Sequence, residues 1–252
     1  MIELTGLSKQ FGSKMVVDNA SACFKTGQVT AIIGPNGAGK STLLSMASRL
    51  LSKDSGQVII DSKELADWQT KALAKRLAVL RQANHLNMRF SVRELVAFGR
   101  FPHSGGKLTA EDKRVIDKAI DYLDLTDIQH RSLDELSGGQ RQLAFISMVV
   151  AQDTEYVFLD EPLNNLDIRH SQQIMRNIRI LAHELNKAVV IVIHDINFAS
   201  CYADHIIALK NGQVITQGAV SEVIQSAVLS DIYETWFDIA EIRGQRICLY
   251  YG

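Results

Sequence analysis

Residues 29–41 read VTAIIGPNGAGKS, Val29 to Ser41. A strand-length run with a buried-strand pattern, Val29 to Ile33, feeds a loop with glycines at 34, 37 and 39, and Lys40 and Ser41 open a helical segment. The order strand, G-x-x-x-x-G-K-S, helix is that of a phosphate-binding loop. Glycines let successive N–H groups point inward at one phosphate chain, and the start of a helix adds about half a positive charge. Lys40 brings a full charge to the β- and γ-phosphates, and Ser41 brings a hydroxyl suited to Mg²⁺. Gly34, Pro35, Asn36, Gly37, Ala38, Gly39, Lys40, Ser41 and Thr42 are therefore the candidate residues for a nucleoside triphosphate. One lysine and a helix dipole do not balance that much charge, so a divalent cation is required.

Further along, Tyr156-Val157-Phe158-Leu159-Asp160-Glu161 is a buried-strand pattern ending in two carboxylates. An acid at the end of such a strand is how Mg²⁺ is held beside a phosphate loop, which assigns Asp160 to the metal. Glu161 is the candidate general base toward an attacking water; taken alone it reads equally as a capping or solvated carboxylate. His194 ends the apolar strand Val189 to Ile193, where it could reach a γ-phosphate from a strand beside the phosphate strand. A lone His is more often structural. Gln82, after the strand-like Leu77 to Leu80, could touch Mg²⁺ or the water, or be a plain loop residue. Phe11, upstream of the loop, could stack on a base or belong to the core.

The bulk composition narrows the class. The 252 residues are 46% hydrophobic and 22% charged, a globular balance with room for one large domain or a core with a subdomain. A formal net charge of -1 supplies no basic field for nucleic acid, and none is expected as a partner. Cys23, Cys201 and Cys248 are few, scattered and without ligand spacing, which reads as free thiols in a reducing compartment. No apolar run approaches the roughly 20 residues of a membrane helix, and the N-terminus lacks a signal pattern.

Periodicity sketches the architecture. Short strands are expected at Ile2 to Thr5, Val29 to Ile33 and Gln57 to Ile60, and a helix over about Thr42 to Leu51. Residues 86–150 turn mostly helical, with a loop at Ser104-Gly105-Gly106 and an amphipathic stretch from Glu111 to Leu123. A helix over about Gln172 to Leu185 then separates two apolar strands, which suggests a parallel sheet with crossover helices. Asn211-Gly212 between alternating strands marks a hairpin. A short helix near Ser221 to Ile224 and a hairpin around Gly244 follow. The expectation is a single domain over 1–252: an α/β P-loop NTPase (RecA-like) core with an N-terminal antiparallel β-subdomain in 1–85 and 150–252, and an inserted α-helical subdomain over 86–149.

Leu136-Ser137-Gly138-Gly139-Gln140 sits just before a helix start with no ligand near it in the chain. The order Phe11, phosphate loop, Gln82, LSGGQ, Asp160-Glu161, Asn165-Leu166-Asp167, His194 resembles the ATP-binding-cassette family over essentially the whole chain. The resemblance implies ATP and Mg²⁺ as cofactors and a head-to-tail homodimer. Ser137, Gly138, Gly139 and Gln140 of one copy then hold the γ-phosphate of ATP on the other, with Asp167 at the same seam and Ser41, Gln82 and Asp160 around Mg²⁺. Phe11 replaces a more usual tyrosine, and Asn164-Asn165 stand where small residues are commoner.

One cassette without a membrane segment implies separate membrane subunits. FSVRELVAFGRFPH, Phe90 to His103, is similar to importers of iron(III)–siderophore complexes, haem and cobalamin; taken with QANHLNMRFSV and EPLNNLD the resemblance is closest to iron(III)–siderophore importers, the catecholate type among them. Haem or cobalamin importers and exporters are the alternatives. The resemblance implies two transmembrane permease subunits, an extracytoplasmic siderophore-binding protein, and a peripheral position on the cytoplasmic face of the bacterial inner membrane. Leu86, Met88, Phe90 and Phe101 are candidates for permease docking or for the subdomain core.

Overall fold

A computed structural model describes residues 1–81, 90–164 and 166–251. Strands β1 (Ile2–Phe11), β2 (Lys14–Phe24) and β3 (Gln28–Ile33) precede helix α1 (Lys40–Ala47). Strands β4 (Ser55–Ile60) and β5 (Lys63–Glu64), helix α2 (Thr70–Leu73) and strand β6 (Leu77–Leu80) follow. Next come helices α3 (Val92–Phe98), α4 (Phe101–Ser104), α5 (Ala110–Tyr122) and α6 (Gly138–Ala151). Strand β7 (Tyr156–Asp160), helix α7 (Ile168–His183), strand β8 (Ala188–Val192) and helix α8 (Ile196–Tyr202) then alternate. The last described elements are β9 (His205–Lys210), β10 (Gln213–Ala219), α9 (Val220–Val223), α10 (Ser226–Tyr233), β11 (Asp238–Ile242) and β12 (Gln245–Leu249). The chain divides into two compact units, Met1–Trp68 with Ile178–Gly252, and Gln69–Asn177.

In the first unit an antiparallel sheet runs β2-β1-β4-β5, and a second set of strands runs β10-β9-β3-β8. β3 pairs parallel with β8 and with β9, and β9 pairs antiparallel with β10. Val29, Ala31, Ile32 and Ile33 have no exposed surface and Thr30 between them is buried as well, which explains the lack of a polar-out alternation: a parallel strand is covered on both faces. Asn211 and Gly212 have φ of +50° and +83°, the pair of left-handed residues that a tight hairpin needs. The sequence pattern does not reveal β2. Its pairing with β1 is broken by three register shifts, so polar Asp18, Asn19 and Ser21 never settle into a two-residue period.

In the second unit β6 pairs parallel with β7, from Leu77 opposite Tyr156 to Leu80 opposite Leu159. Helices α3, α5 and α6 pack on one another. Capping boxes start α3 at Ser91 and Glu94, and α5 at Thr109 and Asp112. The FGRFPH stretch explains much of this packing. A Cβ on Gly99 would lie 2.2 Å from the Met148 carbonyl, so α3 can approach α6 only with glycine there. Arg100 is buried; its Nε donates to Asp112 at 2.8 Å and its Nη1 to the Ala151 carbonyl at 3.0 Å. Thr109 and then Arg100 hold the Asp112 carboxyl down to about 2, so it stays a carboxylate. Removing one partner of a buried pair strands the other charge. Arg100→Ala should therefore destabilise the fold by about 3–5 kcal/mol in chemical denaturation, and a loss below about 1 kcal/mol would contradict that role.

Candidate functional site

The phosphate loop lies in the first unit, between the end of β3 and the start of α1. Gly34 has φ +143°, and a Cβ there would sit 2.1 Å from the Leu209 carbonyl on β9. Gly39 has φ +98°, and a Cβ there would sit 2.5 Å from the Val16 carbonyl on β2. The loop is thus wedged between two backbones that leave room only for glycine. Gly37, in contrast, has open space at its Cβ position, and Asn36 beside it is exposed. Lys40 is only 5% exposed; its Nζ donates to the carbonyls of Gly34 at 2.8 Å and Pro35 at 2.9 Å. The hairpin tip adds a brace, with the Gly212 N–H donating to the Ala38 carbonyl at 3.1 Å. A buried lysine folded inside a glycine loop, at the N-terminus of a helix and open on one side, fits an anionic phosphate chain. The Ser41 hydroxyl is a hard oxygen donor of the kind Mg²⁺ takes.

β8 lies directly beside β3, with Ile32 opposite Val192 and the Ile193 N–H on the Ile32 carbonyl at 3.2 Å. His194 follows, exposed, at the same carboxyl end of the sheet as Gly34. Ligands of parallel sheets bind beyond that end. Asp195 then caps α8, accepting the Phe198 N–H at 3.0 Å. Phe11, at the end of β1, is 49% exposed, with the Lys9 ammonium 5.5 Å from its ring centre. It is not a core aromatic.

In the second unit Asp160 closes β7 and Glu161 turns the chain immediately after it, at φ +53°. A glutamate in the left-handed region costs on the order of 1 kcal/mol or more, and such strain gathers at functional sites. The Asn164 amide donates to the Glu161 carboxylate. Gln82 and Asn165 lie outside the described residues, as do Leu86 and Met88.

Ser137 is the N-cap of α6. Its hydroxyl accepts the Gln140 N–H at 3.3 Å, while the Gln140 side chain accepts the Ser137 N–H at 3.2 Å. The pentapeptide thus meets part of its own demand for helix-start partners, and it leaves Ser137 and Gly138 exposed. Gly139 is buried for a different reason: a Cβ there would come within 2.5 Å of the His170 ring. His170 is tied in turn to Asp167, whose carboxylate accepts its N–H at 2.8 Å and lies 2.8 Å from its Nδ1. Those bonds hold the Asp167 carboxyl below the usual carboxylate range. Nothing in the sequence marks His170 as the neighbour of Gly139; the two are 31 residues apart by number, and only packing joins them.

A sequence profile described as ABC transporter matches residues 17–164. The chain belongs to the ABC transporter family. Among its relatives, the petrobactin import ATP-binding protein YclP of Bacillus subtilis (strain 168) is 53% identical over the full length of both chains. The ferric enterobactin transport ATP-binding protein FepC of Escherichia coli (strain K12) is 38% identical over 90% of this chain and 84% of its own. A metal-chelate type ABC transporter in an inward-facing conformation shares the fold at TM-score 0.85 and 24% identity, over 99% of this chain and 97% of its own. A dimeric ATP-binding cassette in a post-hydrolysis state with ADP and Pi matches at TM-score 0.77 and 26% identity, over 87% of this chain and 99% of its own. The cassette is an ATPase with a P-loop core, and ATP is its nucleotide.

The helical region of the cassette carries a shallow hollow of about 130 Å³ lined by Ala97, Phe98, Phe101 and Leu108, with Glu94 and Ser104 at its polar side. Phe101 is 58% exposed and Phe98 49%, so FGRFPH splits into a buried structural pair and two aromatic rings on the surface. Phe90 is half-buried and meets Phe98 edge-on, ring centres 5.0 Å apart.

Proposed function

We propose that the cassette energises uptake of an iron(III)–siderophore complex, of catecholate type, through two separate transmembrane permease subunits served by an extracytoplasmic siderophore-binding protein. The observation that carries this is the full-length match to a petrobactin import ATP-binding protein at 53% identity. No helix among the described residues is long and apolar enough to cross a membrane, which fits a peripheral subunit on the cytoplasmic face of the cell membrane. The surface rings Phe98 and Phe101 suit a docking helix of the permease.

In this reading residues 34–42 hold the phosphates and Phe11 stacks on the base. Lys40 leaves its two carbonyl partners for the β- and γ-phosphates. Ser41, Asp160 and Gln82 hold Mg²⁺, which when bound neutralises developing phosphate charge. Glu161 accepts the proton of the attacking water, and His194 steadies the γ-phosphate. Two copies pair head to tail. Ser137, Gly138, Gly139 and Gln140 of one copy close on the γ-phosphate held by the other, with Asp167 at the seam. ATP favours the closed pair, and its hydrolysis releases it, which shifts the permease between its two facing states.

The test is transport in a strain lacking the gene. Uptake of a ferric catecholate siderophore should fall to background and return with the wild-type gene but not with a Glu161→Gln copy. Normal siderophore uptake accompanied by loss of haem or cobalamin uptake would move the cargo assignment.

A further inference from the structure

We propose that Tyr233 is a positioning residue for the nucleotide site: its hydroxyl fixes the first peptide of the phosphate loop, so that residues 226–251 set how the cassette grips ATP. The inference rests on residues 34–42 being the phosphate site.

Tyr233 ends α10, and its hydroxyl accepts the Gly34 N–H at 3.0 Å. Gly34 has no side chain to anchor it and a φ of +143° that no other residue would adopt comfortably. It is held at both of its peptides instead. Tyr233 takes the N–H, and the Lys40 ammonium donates to the carbonyl at 2.8 Å. One hydroxyl is therefore linked, through a single glycine, to the lysine that must meet the phosphates.

The tyrosine is itself supported. Phe237 lies 5.7 Å from its ring centre and Tyr250 lies 5.4 Å from Phe237. Lys210, at the end of β9, donates to the Asp231 carbonyl and lies 3.1 Å from the Glu234 carboxylate, which pins the end of α10. Burial pushes the Tyr233 phenol well above its ordinary value, so it stays neutral across the working pH range. The same segment grips the helix that follows His194. The Asn197 side chain accepts the Cys248 N–H at 2.7 Å and donates to the Cys248 carbonyl at 3.2 Å. Ser200 donates to the Arg246 carbonyl at 2.6 Å. Residues 226–251 thus touch the loop at the end of β3 and the helix just beyond β8.

Without the hydroxyl, the Gly34 N–H loses its partner, and the loop spends much of its time out of the competent shape. Apparent affinity falls by the competent fraction, while chemistry after binding is kept. Tyr233→Phe in the full-length chain should therefore raise the Kd for ATP and ADP, and KM for ATP, about tenfold, with kcat within about twofold and Tm lower by only a few degrees. Wild-type Kd and KM in Tyr233→Phe overturn the proposal. So does a fall of kcat and Tm together at constant KM, because that is loss of fold alone. If Tyr233→Phe does not fold, Phe237→Leu, which keeps the hydroxyl but removes its backing, must raise Kd about threefold, and a wild-type Kd there overturns the proposal equally. Lys40→Ala separates the two readings. If it binds ATP as wild type does, residues 34–42 are not the phosphate site; if it loses binding while Tyr233→Phe keeps it, only the role of Tyr233 fails.

Discussion

Glu161→Gln should lower ATP turnover by roughly 10²-fold or more while nucleotide binding persists. The amide keeps the shape of the carboxylate and its reach toward Asn164, but it cannot take a proton from water. Little else should change. Glu161 is half-exposed and sits one residue past a strand whose four apolar residues are buried, so the substitution does not touch the core. With hydrolysis blocked and binding intact, the ATP-bound pair of subunits should accumulate, visible as a dimer by size-exclusion chromatography in ATP. A Glu161→Gln protein that hydrolyses ATP at the wild-type rate removes Glu161 from the role of base. Turnover lost together with ATP binding would place Glu161 in the binding of nucleotide instead.

Ser137→Arg should abolish hydrolysis and leave ATP binding by the single chain unchanged. Ser137 is exposed at the N-cap of α6, far in sequence from the phosphate loop, so its loss costs the fold only about 1 kcal/mol of capping. A bulky cation there blocks close approach of a second copy to the exposed backbone of Gly138. Binding measured by equilibrium titration and turnover measured at the same protein concentration check both halves. Wild-type turnover in Ser137→Arg, or full-speed hydrolysis by a strictly monomeric wild-type chain, would contradict a nucleotide held by two polypeptides.

What could be read without the structure was whatever carries its own local physics. The phosphate loop is contiguous, and its glycines, lysine and helix start imply their dihedrals and charge before anything packs. The Asn211-Gly212 turn is similar, because two left-handed residues in a row leave few alternatives. The amphipathic stretch from Glu111 was legible for its period, and the helix found, Ala110–Tyr122, begins where Thr109 and Asp112 cap it. The apolar strand ending in His194 pointed to a neighbour of β3, since only a strand covered on both faces is so uniformly apolar.

Other features depend on partners far away in the chain. β2 hides behind its register shifts, and its fit to β1 is decided by pairing and not by its own pattern. FGRFPH is one motif in sequence but two surfaces in space, because Arg100 turns inward to Asp112 while Phe101 stays out. The sequence by itself determined the local form and charge of the glycine loop before α1, since bond geometry and charge act between adjacent residues. Only the tertiary structure decided that Gly139 rests on His170 and that Gly34 is held by a hydroxyl 199 positions away. Those contacts exist because close packing brings remote backbones within hydrogen-bond reach, and no local preference encodes them.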